Sequence, residues 1–267
     1  MRQDTHVYMN IMTSGDVGSG TEEDGRPGRG RSDWAYERLH EAIREGALEP
    51  GQRVMETEVS AWLRVSRTPV REAMRRLLAE GLLEHAANGG LAVTLYDLRA
   101  ISEFYATRER LEGAAAALAA DHADPTERRI LSAMLDTMRG LPADPRAHAR
   151  ENQAFHEQIY RTAHNRFLLK SLRALLNFVP LLGRTTYHAP DRIEEAQAEH
   201  TEIVEAILAR DPQRAEDAAR RHIRHAYDSR VRVVTEDVRS AAERRSLHKP
   251  VSAPLRAGMQ RLERIPK

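Results

Sequence analysis

A chain of 267 residues with no cysteine, 5% aromatic residues and 30% charged residues excludes a disulfide framework and a thiolate zinc site, and its composition favours helices. The net charge of +1 says nothing about partners, so the placement of charge has to decide. No apolar run approaches a membrane span and no charged-then-apolar signal opens the chain, which points to a cytoplasmic protein without a membrane partner. Residues 1–32 are rich in glycine and poor in periodic apolar positions, so they read as a disordered leader. Tyr36, Leu39 and Ile43 share one face, predicting a helix over 33–45 that stops at Gly46, before a turn at Pro50-Gly51. A second helix over 56–63 carries Val59, Trp62 and Leu63. A third opens at Ser66 as N-cap, holds Pro69 in its first turn, buries Val70, Ala73, Met74 and Leu77, and ends at Gly81. Asn88-Gly89 between two short apolar runs predicts a hairpin. Three helices and a two-stranded wing over 33–96 make a winged helix-turn-helix.

From 97 to 238 the sequence shows no strand signal. Asp124-Pro125, Asp144-Pro145 and Asp211-Pro212 each pair an N-cap acid with a proline at the first helical position. They divide the region into helices near 98–121, 125–139, 145–164, 166–180, 191–210 and 212–238, an all-α antiparallel bundle. Residues 239–267, punctuated by Pro250, Pro254 and Pro266, read as a flexible tail. The fold class is mostly α, with a small β-hairpin in the first domain.

Charge is concentrated in the third helix. Arg64 to Arg76 holds five arginines against Glu72 alone, and Arg67, Arg71 and Arg75 recur every four residues beside the apolar stripe. Such a helix can pack on one side and offer guanidinium groups to phosphates or guanine on the other, with Ser66 and Thr68 able to take a phosphate at its N-terminus. A solvated arginine-rich face would look similar, but the preceding helix, tight turn and following wing favour the major groove of double-stranded DNA.

The run Val65-Ser66-Arg67-Thr68-Pro69-Val70-Arg71-Glu72-Ala73, with Pro50-Gly51 before it and Glu80-Gly81-Leu82 and Gly89 after, resembles the DNA-binding domain of the GntR superfamily of transcription regulators. The resemblance implies that Arg67, Thr68 and Arg71 contact an operator and that the wing tip near Gly89 reaches the minor groove. Three positions depart from the family pattern. Val59-Ser60 replaces the common Leu-Ala, Arg64 stands where glycine is usual, and Thr57 stands where some relatives use arginine.

In the second region Asn152 and His156 lie four apart on one helix face. His200 and His222 are each eleven residues from Asp211, the turn between two helices, so in an antiparallel hairpin they reach equal depth, roughly 16 Å from the turn at 1.5 Å per residue. Three imidazoles and a carboxamide oxygen converging in a bundle suit a divalent metal, although each histidine alone reads as an ordinary core or surface residue. His225 could substitute or brace. His122, His148, His164 and His188 read as surface residues. Zinc suits imidazole best, while added oxygen ligands would admit nickel, manganese or iron.

This region resembles the FCD ligand-binding domain that follows one branch of GntR regulators: Arg108-x-x-Leu111-Glu112, Asn152-x-x-Phe155-His156 with Asn165, and the His200 and His222 pair match it. The resemblance implies that Asn152, His156, His200 and His222 hold the ion, with Asn152 replacing a frequent aspartate. Four neutral ligands leave open positions that a small organic acid could fill, its other end on Arg108; a surface ion pair between Arg108 and Glu112 is the plainer alternative. The expected whole is a homodimer on an inverted-repeat operator, with repression the commoner family behaviour. A metal-responsive regulator without an organic effector, and a metal-dependent hydrolase, are the competing readings. The hydrolase lacks a His-Glu-x-x-His motif and an acid placed as general base.

Overall fold

A computed structural model describes residues 30–87 and 89–247. The expected leader up to 29, Asn88 of the hairpin, and the expected tail from 248 lie outside the described residues. The chain enters through helix α1 (Arg31–Arg44), two residues earlier than the sequence suggests. Strand β1 (Arg53–Val54), helix α2 (Glu56–Leu63), helix α3 (Arg67–Ala79) and strands β2 (Leu83–His85) and β3 (Leu91–Val93) complete the first domain. Leu39 and Ile43 of α1 meet Val70, Met74 and Leu77 of α3 in one buried core. This is the apolar stripe that the 3.6-residue period required.

Two local details differ from expectation. Ser66 holds the N-cap position of α3 in extended conformation, but its side chain makes no capping hydrogen bond. Pro69 occupies the third helical position and has no N–H, which removes one of the two donors such a cap uses. The wing has three strands rather than two: β3 lies between β1 and β2, with Arg53 opposite Ala92 and Glu84 opposite the same residue. A two-residue strand is too short to show alternation in sequence. At the wing tip Gly89 N–H donates to Ala86 O at 2.9 Å, and φ is +79° at Gly89 and +82° at Gly90. Both values are natural only to glycine.

The second domain contains α4 (Leu98–His122), α5 (Pro125–Arg139), α6 (Pro145–Thr162), α7 (Arg166–Leu176), α8 (Arg192–Leu208) and α9 (Pro212–Leu247), with short 3-10 turns at Val179–Leu182 and Thr186–His188. Asp124, Asp144 and Asp211 each accept backbone N–H bonds at the start of their helices. Helix α7 stops at Leu176, short of the expected 180, because Pro180 has no N–H to donate to the Leu176 carbonyl and the chain passes into a 3-10 turn there. Helix α9 passes the expected 238 and reaches Leu247, since no proline or glycine interrupts it. Along α4, Gly113 and the buried Ala115, Ala116, Ala119 and Ala120 face Ala215, Ala218 and Ala219 of α9. A Cβ on Gly113 would lie 2.7 Å from Arg220 Cγ, so only glycine permits this approach. Among the described residues no helix is long and apolar enough to cross a membrane.

Candidate functional site

The outward face of α3 presents Ser66, Arg67, Thr68, Arg71 and Arg75, all exposed. Its charges are not equally free. Arg71 is bound by both carboxylate oxygens of Glu56 on α2, Nε and Nη2 each donating at 2.9 Å. Arg76 pairs with Asp33 at 2.6 Å and lies over the Tyr36 ring. Arg67 and Arg75 make no ion pair among the described residues. The turn before α3 is formed by Arg64 at φ +55°, a left-handed conformation that explains why glycine is usual there. Gly89 stands at the wing tip, its carbonyl accepting from Arg53.

Inside the bundle, His156, His200 and His222 converge, with one ring nitrogen from each lying within 4.8 Å of the others. Their positions come from three helices. Phe155, fully buried, seats α6 so that His156 faces inward, and the α8–α9 hairpin brings the rings of His200 and His222 to a centroid separation of 4.6 Å. The two carboxylates around them set the tautomers. His156 Nδ1 lies 3.0 Å from Glu112 Oε2, and His222 Nδ1 lies 2.7 Å from Glu199 Oε2. Each carboxylate accepts from Nδ1–H, which leaves the lone pair on Nε2. Those two Nε2 atoms face each other at 3.1 Å. Both nitrogens of His200 are buried without any hydrogen-bond partner. Lone pairs aimed at one another beside an unpartnered imidazole form a site for a proton or a cation.

Burial is what holds the His200 and His222 rings neutral. Burial pushes His200 well below the ordinary histidine range, and neighbouring His222, His156 and Arg192 push the same way. Burial also lowers His222, to about 4, against the opposing pull of Glu199. Burial would raise Glu199, but hydrogen bonds from His222 and Arg192 outweigh it and hold the acid at about 2. Glu112 is likewise opposed by burial, yet Arg108 and His156 keep it well below the carboxylate range. Neutral rings at His200 and His222 beside ionised carboxylates are the states that metal coordination needs.

The other expected site residues fall as follows. Asn152 is one turn from His156 and half-buried, its Oδ1 accepting from the Tyr187 hydroxyl at 3.0 Å. Arg108 is no surface residue: it is 9% exposed and donates from Nε to Glu112 Oε1 at 2.7 Å. No hydrogen bond engages its Nη atoms among the described residues. His225 is turned outward onto Glu199 Oε1 and stands apart from the cluster. Expected on the surface, His148 is instead 1% exposed, against the Tyr187 ring at 5.7 Å. Sequence reasoning gave Glu112 only as the ion-pair partner of Arg108 and passed over Tyr160 and Arg192, although Arg192 is two turns from Glu199. Tyr160 donates to Glu112 at 2.6 Å, and Arg192, 2% exposed, binds Glu199 at 2.9 and 2.8 Å.

A winged helix-turn-helix joined to a helical bundle with an inward imidazole cluster is the architecture of a DNA-binding transcription regulator. The chain belongs to the GntR family: the model of bacterial regulatory proteins of the gntR family matches residues 31–93, and the FCD domain model matches residues 103–225. It is 33% identical over 196 residues to the HTH-type transcriptional regulator YdhC of Bacillus subtilis (strain 168), covering 71% of this chain and 86% of that one. It is 36% identical over 186 residues to the "Probable D-xylose utilization operon transcriptional repressor" of Paenarthrobacter nicotinovorans, covering 68% and 80%. Among solved structures, E. coli McbR/YncC superposes with a TM-score of 0.60 at 21% identity over 79% of this chain and 99% of that chain. A GntR regulator from Rhodococcus sp. RHA1 gives 0.61 at 22%, over 75% and 97%. The two structures speak to fold alone; the family establishes a regulator, not an enzyme. Glu199, which flanks His200, braces rings and an arginine rather than standing free as a base, and Glu202 pairs with Arg221.

Proposed function

We propose that this regulator is a cytoplasmic, homodimeric repressor of inverted-repeat operators, governed by a divalent ion and a small carboxylate in its bundle. Ser66, Arg67, Thr68, Arg71, Arg75 and the wing near Gly89 contact DNA. His156, His200, His222 and Asn152 hold the ion, zinc by preference, with nickel, manganese or iron as the other ions that imidazole and oxygen ligands admit. When bound, the ion supplies a positive centre able to take a carboxylate oxygen. Arg108 offers the second anchor through its Nη atoms. The observation that carries the reading is the unpartnered His200 ring beside the facing Nε2 atoms of His156 and His222. Glu112 and Glu199 keep the lone pairs turned inward by holding the Nδ1 protons, and the repressor sense follows that of the D-xylose relative.

Selection from a random duplex pool should return an inverted repeat bound more weakly as salt rises. Purified protein should carry metal that the double variant His200→Ala/His222→Ala lacks. Recovery of no inverted repeat would remove the DNA half, and equal metal in wild type and variant would remove the other. A second reading, control by metal alone, is favoured by Glu112, which already neutralises Arg108. There zinc without any organic acid changes operator affinity fully.

A further inference from the structure

Between α7 and α8 the chain runs from Phe178 to Arg192 through two 3-10 turns, and its side chains are divided between the two domains. The Phe178 ring packs against the end of the reading helix: a Cβ on Gly81 would lie 3.5 Å from Phe178 Cε1. Phe178 also meets Tyr96, just before α4, edge to face at 6.2 Å. Leu181, 1% exposed, is buried within the core of the DNA-binding domain, together with Leu39, Val70 and Leu77. Its neighbour Leu182 is buried in the other domain, with Ile101 and Ile223. Five residues further on, Tyr187 is buried beside His148 and donates to Asn152. The segment ends at Arg192, which clamps Glu199, the carboxylate behind His222.

The segment is also held along its length. Arg230 of α9, 3% exposed, donates to the carbonyls of Leu182 and Arg184. The same helix carries His222. Gly183 follows Leu182 at φ +83° and ψ −148°, a region that only glycine enters freely, and Asp191 closes the segment at φ +60°. Between these two points one 3-10 turn supplies the local backbone hydrogen bonds, and contacts to Asn152, Arg230 and Asp237 of the bundle hold the rest.

We propose that the strap from Phe178 to Arg192 is the device that couples the imidazole cluster to the DNA-reading head, with Tyr187 and Leu181 as its positioning residues. Tyr187 senses where Asn152 stands, and Leu181 carries the displacement into the packing of α1 and α3. A close-packed core responds to such a shift as a unit, because its side chains have no slack to absorb it. The proposal rests on the metal reading of the cluster.

The test uses the full chain and zinc alone as probe, read by amide hydrogen exchange. In wild type, zinc should slow exchange in the helices of His156, His200 and His222, and also in α1 and the end of α3. A coupling of ~5-fold or more at the head corresponds to ordinary allosteric linkage. Tyr187→Phe removes one hydroxyl and Leu181→Ala empties one contact. In both, the site should still respond to zinc while the head's response falls to within about twofold of none. Tyr187→Phe tests the strap even if Leu181→Ala fails to fold. A head response in Tyr187→Phe equal to wild type, or protection of the site without the head in wild type, overturns the strap. A wild-type site that ignores zinc overturns the metal reading and the strap with it, and the silent site peptides distinguish that failure from the others.

Discussion

Replacing Glu112 with glutamine probes the most heavily loaded buried group in the bundle. Its carboxylate, 2% exposed, accepts from Arg108 Nε at 2.7 Å, from Tyr160 at 2.6 Å and from His156 Nδ1 at 3.0 Å. Glutamine keeps the shape but removes the charge, and one of its ends becomes a donor facing donors. Arg108 then stays buried as an uncompensated cation, since burial and the missing acid cannot bring a guanidinium to neutrality. Breaking one side of a buried pair costs about 3–5 kcal/mol. At ~2–4 °C per kcal/mol for a chain of this size, Glu112→Gln should melt ~6–20 °C below wild type in metal-free buffer. Glu103→Gln, which breaks the exposed pair with Arg99, serves as control and should shift melting by about a degree or two. Loss of the group that orients His156 should also weaken zinc binding about 10–100-fold, measured by competition with a chromophoric chelator. Replacing both Arg108 and Glu112 with leucine should recover only part of the lost stability: no charge is stranded, but the Tyr160 hydroxyl and His156 Nδ1–H lose their acceptor. If Glu112→Gln melted no lower than Glu103→Gln, the account of this network would be wrong.

Three further outcomes follow from the geometry. Arg67→Ala and Arg75→Ala should each weaken DNA binding and lower the salt slope by about 1, whereas Glu56→Gln should strengthen binding by freeing Arg71; fluorescence anisotropy across a salt series reads all three. Arg64→Gly should raise thermal stability by about 1 kcal/mol, since Arg64 sits at φ +55°, and an unchanged melting point would count against the strain. Acid should destabilise the metal-free protein in two stages. His222 titrates at about 4 when folded against 6.5 for the free side chain, so the unfolded chain takes up the extra proton and stability falls as pH drops from 6.5 towards 4. Glu199 then loses its contribution between 4.5 and about 2. Denaturant midpoints flat from pH 7 to 4.5 would contradict the first stage.

The parts of the molecule that sequence made legible are those governed by local rules. Three Asp-Pro pairs mark three helix starts because an acid cap and a missing N–H act within one turn. The symmetry of His200 and His222 about Asp211 gives their meeting because rise per residue is constant. What escaped depends on contacts between distant segments. Strand β1 exists only because β3 offers it an edge. His148 differs in nothing local from His164, yet one is buried beside Tyr187 and the other is exposed. Arg71 looks as free as Arg67 until α2 brings Glu56 against it. The Phe178–Arg192 segment has no periodicity at all, so its division between two cores could be seen only once both cores were in place.

From Gly113 to Ala120 the seam between α4 and α9 is lined by glycine and alanine. Two helices meshed this tightly cannot slide past one another, and in mechanical terms they are a single beam. One end of the beam is Leu98, where the chain has just left the wing, and the ring of His222 hangs from its flank. A push on one of the two helices is therefore felt by both, and it reaches the wing through Tyr96, which packs on Phe178, and Asp97, which caps α4.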